Sequence, residues 1–335
     1  INRDPPRDRA SPVRVAASTK KAELVPSLLD PLPRFIAQLL AILVVARLVG
    51  LVARRFGQPM VVAEIIAGIL LGPSVLGLLL PELSSTLFAP DSLELLAVVS
   101  KLGLILFMFF VGLEFDLGRS RGRDRLVQAL LVSQASFVIP LGLGLLLALQ
   151  LHATLAEPGT SRLGLGLFVA AVLSTTAFPV LARILAERRL LRSRVGALAI
   201  AAAAIDDVQA WCLLAFVVAW ARADGLAEAG LTSLLALVYV ATMVLIVRPL
   251  LARWARTITS SELGHDHIAL VMVLLFASAG ATELIGIHAL FGAFSLGAIL
   301  PREGGLAHAL VDKLEDFVVV VLMPLFFAYS GVRTQ

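Results

Sequence analysis

The stretch RVGALAIAAAAIDDVQAWCLLAFVVAW, residues 194–220, decides the fold. It is long enough for a helix to cross a bilayer and is almost wholly apolar, yet Asp206 and Asp207 lie near its middle. Each aspartate at the centre of a membrane helix costs about 2.5–3.5 kcal/mol, so the pair needs a reason. Neighbouring helical residues diverge by about 100°, so both side chains can approach one polar cavity without facing the same partner. The pair is either structural, satisfied by polar neighbours, or an ion or proton site in a transporter.

The composition of the whole chain is that of an integral membrane protein. Of 335 residues, 59% are hydrophobic, and the mean hydropathy is +0.93. The net charge of +4 does not indicate nucleic-acid binding, because the basic residues lie in short loops between apolar segments. Cys212 is the only cysteine, which excludes an internal disulfide and a cysteine metal cluster. No cofactor is predicted.

Residues 1–34 are polar and basic and are predicted to form a disordered tail. Ten apolar spans follow, so the predicted fold is an all-α membrane protein. The predicted spans are 35–53, 59–80, 93–115, 126–149, 163–186, 195–220, 231–251, 267–285, 288–300 and 314–331.

Charge alternates between successive loops. One set of loops is rich in arginine, and the positive-inside rule places that set in the cytoplasm. Its basic residues are Arg54, Arg55, Arg119, Arg121, Arg123, Arg125, Arg188, Arg189, Arg192, Arg194, Arg253, Arg256, Arg302 and Lys313. The opposite set holds little beyond Arg162 and Arg222, and the N-terminus is then outside.

An internal repeat links the two ends of the chain. LILFMFFVGLE at 104–114 resembles MPLFFAYSGVR at 323–333, and AEIIAGILLGP at 63–73 loosely resembles GAFSLGAILP at 292–301. By the charge assignment the matched spans run in opposite directions, which predicts an inverted repeat of the kind that builds many secondary transporters.

The fifth span contains LSTTAFPVLARIL, residues 173–185. Pro179 removes a backbone hydrogen bond and is predicted to break the helix beside three hydroxyls, those of Ser174, Thr175 and Thr176. Broken backbone is tolerated in a membrane only where protein or a watery cavity satisfies it. The segment is therefore either an ordinary kink with its hydroxyls bonded back to the helix, or a source of neutral oxygen ligands that would accompany Asp207 around a small cation.

Several segments in order resemble the monovalent cation:proton antiporter-2 family. They are QPMVVAEIIAGILLGPSVLG (58–77), FFVGLEFDL (109–117), STTAFPVLARIL (174–185), AIDDVQAW (204–211), ELIGIHALFGAFSLGAILP (283–301) and PLFFAYSGVR (324–333).

The resemblance covers residues 35–335 and implies an inverted-repeat antiporter fold with broken helices, a dimerisation domain and a mobile core domain. It places the family's essential carboxylate on Asp207, the variable position before it on Asp206, and the broken helix between Thr175 and Pro179. It implies Na⁺ or K⁺ and H⁺ as transported ions, a homodimer in the lipid bilayer and, in this case, a bacterial inner membrane. The family pattern continues for about three helices beyond the tenth span, so ten of an expected thirteen helices are predicted here.

The leading functional prediction is thus an antiporter in which a cation and a proton compete for Asp207. A gated potassium efflux channel or sensor on the same scaffold is the alternative, although such members usually carry Gln before the essential Asp. A membrane enzyme is disfavoured: a DDxxD diphosphate motif fails at Ala210, and the GxGD motif of intramembrane aspartyl proteases does not occur.

Overall fold

We describe the protein from a computed structural model, which covers residues 30–114, 123–156, 161–191, 193–222, 226–256, 264–301 and 306–333. The described residues form helices joined by short turns. Among these residues, seven segments are long and apolar enough to cross a membrane, and Ala289–Ile299 is a shorter apolar helix. The all-α membrane fold predicted from the sequence is confirmed.

The first half of the chain contains nine helices within the described ranges. They are α1 (Pro31–Arg55), α2 (Met60–Leu71), α3 (Leu76–Leu79), α4 (Pro81–Leu87), α5 (Pro90–Glu114), α6 (Arg123–Leu155), α7 (Arg162–Ser174), α8 (Phe178–Glu187) and α9 (Arg194–Arg222). The later elements are α10 (Leu226–Thr242), a π-helical segment π1 (Met243–Val247), α11 (Arg248–Ala255), α12 (His265–Ile285), α13 (Ala289–Ile299), α14 (Leu306–Phe317), a second π-helical segment π2 (Val318–Leu322) and α15 (Met323–Val332).

One predicted boundary is wrong, and one predicted span contains an interruption. The first helix begins at Pro31 rather than at residue 35, and of the predicted disordered tail, residues 1–29 lie outside the described residues. The predicted second span, 59–80, is confirmed as an apolar segment, Met60–Leu79, that is long enough to cross a membrane, but its helix is interrupted after Leu71. Gly72 precedes Pro73, and a residue before proline is driven out of the helical region; Gly72 is extended, with φ −80° and ψ −178°.

The two π segments have a common cause in the sequence. π1 precedes Pro249 and π2 precedes Pro324 by the same spacing. A proline ring clashes with the carbonyl four residues earlier, which here belongs to Leu245 or Val320, the central residue of each π segment. Widening the helix at that point accommodates the ring without ending the helix.

The chain divides into two compact units. The first comprises the residues up to Lys101 together with those from Pro324 onward, and the second runs from Leu102 to Met323. The first unit is held by a cluster of buried apolar side chains, which are Ile42, Leu71, Phe88, Leu96, Leu325, Ala328 and Val332.

In the second unit, α9 packs on α6, α7 and α8, and α6 packs closely along α7. Small residues permit that approach: a Cβ on Gly144 of α6 would lie 2.8 Å from the Cα of Ala170 on α7. Elsewhere in the unit, the buried Ser278 of α12 donates a hydrogen bond to the Gly292 carbonyl of α13 (2.8 Å). Contacts of this kind bring the backbones of neighbouring apolar helices close together.

The turn between α1 and α2 has the same construction as the turn between α12 and α13. Gly57 and Gly286, at equivalent places in the repeat, both take left-handed backbone angles, with φ of 68° and 95°. Gly57 N donates to Arg54 O (3.0 Å), and Gly286 N donates to Glu283 O (3.1 Å).

The next residue completes the same motif in each turn. Gln58 N donates to Ala53 O (3.0 Å), and Ile287 N donates to Thr282 O (3.1 Å). Both helices therefore end in a Schellman motif, in which two backbone N–H groups satisfy the last carbonyls.

Matched glycines of the repeat also make matched helix contacts. In the first unit a Cβ on Gly331 would lie 2.9 Å from the Cα of Gly68. In the second unit a Cβ on Gly112 would lie 3.0 Å from the Cα of Gly297. The sequence match pairs Gly112 with Gly331 and Gly68 with Gly297, so the two crossings are copies of one another.

A third contact lies between the two copies of the repeat. Gly103 lies against Leu322, whose carbonyl oxygen would be 3.2 Å from a Cβ at the glycine. The residue spacing that carries Gly112 to Gly331 also carries Gly103 to Leu322, so this contact joins equivalent positions of the two copies. The internal repeat is confirmed; the opposite orientation of its copies in a membrane stays a prediction.

Candidate ion-binding site

The aspartate pair is buried within α9. Asp206 is 2% exposed and Asp207 is 9% exposed, and the alanines that precede them on the helix, Ala202, Ala203 and Ala204, are buried as well. A run of alanines favours the helix and leaves room for neighbouring helices to approach its backbone. The polyalanine stretch thus allows α6, α7 and α8 to pack closely on the helix that bears the two carboxyl groups.

Asp206 faces α6, where two serines hold its carboxylate. Ser133 Oγ donates to Asp206 Oδ1 (2.5 Å), and Ser136 Oγ lies 2.8 Å from Asp206 Oδ2. Sequence reasoning missed both serines. The signal available was SQAS at 133–136, two hydroxyls three residues apart on an apolar helix and therefore on one face.

Asp207 occupies a different environment from its neighbour. Within the described part of the chain, no side chain or backbone group donates a hydrogen bond to its carboxylate. The two side chains therefore differ as their divergence around the helix predicts: Asp206 is bonded to α6, and Asp207 is buried without a donor among the described residues. A buried carboxylate without donors is unfavourable unless a proton or a cation neutralises it.

The predicted helix break lies between α7 and α8. α7 ends at Ser174, the chain is non-helical over residues 175–177, and α8 begins at Phe178. Thr175 has φ −77° and ψ 122°.

The predicted cause of the break is wrong. Pro179 does not interrupt a helix but stands in the first turn of α8, where its missing N–H is not needed and its fixed φ suits helix initiation. The break leaves the last carbonyls of α7 and the first N–H groups of α8 without helical partners.

The three hydroxyl-bearing residues beside the break make different hydrogen bonds. Ser174 Oγ and Thr175 Oγ1 both donate to the Ala171 carbonyl, at 3.1 and 2.8 Å, as an ordinary kink would have them. Thr176 is half-buried, and its carbonyl accepts from Phe178 N at 2.9 Å. Among the described residues, no hydrogen bond joins these hydroxyls to Asp206 or Asp207. The structure brings the break and the Asp pair into one packed unit, without a hydrogen bond between them among the described residues.

The second half-helix, α8, also packs against elements later in the chain. Phe178 contacts Phe294 of α13 edge to face, with ring centroids 5.1 Å apart. Arg183 is 7% exposed, and its Nη2 lies 3.5 Å from the Val319 carbonyl in π2. The arginine thus reaches a backbone segment that proline has widened.

Comparison with known proteins assigns the family. The model of the sodium/hydrogen exchanger transmembrane domain matches residues 40–335. The chain belongs to the sodium/hydrogen exchanger family. This membership confirms the resemblance to monovalent cation:proton antiporters, and together with the apolar helices it makes the chain an integral, multi-pass membrane protein.

Named relatives come from bacteria, plants and fungi. The Na⁺/H⁺ antiporter NhaS4 of Synechocystis sp. is 42% identical over 302 residues, which are 90% of this chain and 73% of the relative. Cation/H⁺ antiporter 17 of Arabidopsis thaliana is 40% identical over 309 residues (91% and 37%). K⁺/H⁺ antiporter 1 of Saccharomyces cerevisiae is 35% identical over 318 residues (91% and 36%). The chain thus spans little more than a third of the plant and yeast relatives.

Proposed function

We propose that the protein exchanges Na⁺ or K⁺ for protons, with the cation and the proton competing for Asp207. The observation that carries the proposal is the burial of Asp207 in the middle of an apolar helix without a hydrogen-bond donor among the described residues. Desolvation makes an unneutralised carboxylate unfavourable there, so Asp207 is expected to hold one neutralising ion at a time. Competition for a single group is sufficient to couple two opposite fluxes.

The helix break supplies a second supporting feature. The C-terminal end of α7 carries partial negative charge and the N-terminal end of α8 carries partial positive charge. Both half-helices pack against α9, which bears the Asp pair. We propose that carbonyls at the break, with Ser174, Thr175 and Thr176 nearby, contribute neutral oxygens to the path of the cation.

Transport also requires the site to open to each side of the membrane in turn. We propose that this alternating access occurs by movement of the helices around the Asp pair, in a homodimer embedded in a bacterial inner membrane. These features come from the family resemblance and stay predictions for this chain. The names of the relatives include Na⁺ and K⁺ antiporters, and either ion fits a site of oxygen ligands.

The test is a flux assay on the purified protein in liposomes that contain a pH-sensitive dye. A gradient of Na⁺ or K⁺ is imposed without a proton gradient. We expect protons to move against the direction of cation flow and the movement to stop when the cation gradient is removed. Cation movement without proton movement would contradict exchange and would favour a channel on the same scaffold.

A further inference from the structure

We propose that Ser133 and Ser136 are positioning residues for ion exchange. Their hydroxyls hold the Asp206 carboxylate against α6 and so prevent it from joining Asp207 as a second cation ligand. The inference rests on the function proposed above and assigns different roles to the two adjacent aspartates.

Ser133 is committed to Asp206. Its side chain is fully buried, and Asp206 Oδ1, at 2.5 Å, is the acceptor that its hydroxyl finds within the described part of the chain. A buried hydroxyl without an acceptor is costly, and a hydrogen bond to a carboxylate is stronger than one between neutral groups. Ser133 therefore keeps its bond to Asp206 whenever that carboxylate is in place.

Ser136 is an adjustable second donor. Its single proton has three acceptors within reach, which are Asp206 Oδ2 (2.8 Å), the Val132 carbonyl (2.9 Å) and the Ser133 carbonyl (3.0 Å). The charged acceptor is preferred, but the backbone offers an alternative at almost no cost. Loss of Ser136 should consequently matter less than loss of Ser133.

The two serines thus occupy both oxygens of Asp206. Asp207, one residue further and about 100° around the helix, receives no such bond from the described residues. Alkali cations require oxygen ligands that can exchange with the incoming ion, and those of Asp207 meet the requirement. Asp206 is held in place, and Asp207 is left to bind and release.

The first measurement is the kinetics of cation-driven proton flux in the Ser133→Ala protein, at the alkaline end of the assay range, where protons compete least. The released Asp206 carboxylate lacks its donor, and a bound cation becomes its nearest compensation. We expect the apparent KM for the cation to fall about tenfold, the ratio that corresponds to one hydrogen bond to a charged group. The maximal rate should fall with it, since a more tightly held cation leaves more slowly. Ser136→Ala should change the KM and the maximal rate less than Ser133→Ala does. Ser136→Thr, which keeps a hydroxyl at this position, should give the values of the unmodified protein.

The second measurement is a double-mutant cycle with Asp206→Asn. If Ser133 acts through Asp206, adding Ser133→Ala to the Asp206→Asn protein should change KM by less than about twofold. The matched control is Ser100→Ala, which removes another fully buried serine, on α5, with no carboxylate partner among the described residues. Should Ser133→Ala fail to fold, the same cycle is run with Ser136→Ala.

An unchanged KM in Ser133→Ala, or an equal effect of Ser133→Ala with and without the Asp206 carboxylate, would overturn the positioning role. Failure of the proposed function gives a different result, because the unmodified protein would then show no coupled flux at all. The two failures are therefore distinguishable in one assay.

Discussion

Asp207→Asn is expected to reduce cation-driven proton flux to that of protein-free liposomes while leaving the protein folded. The carboxylate is buried and lacks a hydrogen-bond donor in the described part of the chain, so we expect its charge to destabilise the folded state and, under the proposed function, to serve ion binding. Asparagine has the same shape without the charge. We therefore expect the thermal unfolding midpoint to stay the same or to rise as activity is lost.

Two control variants separate charge loss from general damage. Glu82→Gln removes an exposed carboxylate on α4 and should leave the flux unchanged. Asp206→Asn should retain partial flux and lower the unfolding midpoint, since the two serines donate to different carboxylate oxygens and the amide replaces one of these oxygens with an NH2 group that cannot accept. Exchange at the unmodified rate in a well-folded Asp207→Asn protein would contradict the assignment of the site.

Gly297→Val is expected to destabilise the fold by about 3 kcal/mol or more, because the added atoms meet backbone and not flexible side chains. A Cβ at this position would lie 2.9 Å from Leu113 N and 3.0 Å from the Cα of Gly112. Fluorescence-detected size-exclusion chromatography after heating measures the loss of folded protein in detergent.

The repeat supplies a second variant and the chain supplies a control. Gly68→Val affects the equivalent crossing, where a Cβ would lie 2.8 Å from the Cα of Ala328, and should be about as damaging. Gly280→Val changes an exposed helical glycine of α12 with no atom within 4 Å of its Cβ position, and should be nearly neutral. Equal stability of Gly297→Val and Gly280→Val would show that the crossing does not hold the fold.

The repeat could be predicted from the sequence because it rests on residues whose chemistry is local. Close approach of two helix backbones favours glycine and other small residues, so Gly112 and Gly331 stand out as a matched pair within two similar apolar segments. Gly57 and Gly286 carry the same information through their turns, but neither lies inside a matched span, so a comparison of spans does not detect them.

The helix break shows the limit of local reasoning. The sequence located the interruption near Thr175 and Pro179, but a proline is compatible with the interior of a kinked helix and with the first turn of a new one. Pro249 and Pro324 were compatible with a further outcome, a π-helical turn without a break. Tertiary packing determines which of these conformations forms, and the sequence near a proline is not sufficient to predict it.

The serine pair could not be predicted from spacing alone. Asp206 and Ser133 are 73 residues apart and meet only because α6 packs against α9 in one particular rotation. The sequence marked both aspartates as candidates for ion binding but gave no means of separating their roles. That separation comes from the serines of α6, which bond to Asp206 and, among the described residues, not to Asp207.

The central claim, that cation and proton compete for Asp207, is tested most directly by proton release. Na⁺ or K⁺ is added to the purified protein in a weakly buffered detergent solution that contains a pH indicator, and the released protons are counted against bound cation. We predict a saturable release from the unmodified protein and none from Asp207→Asn. Cation binding without proton release, or the same release from Asp207→Asn, would contradict the account.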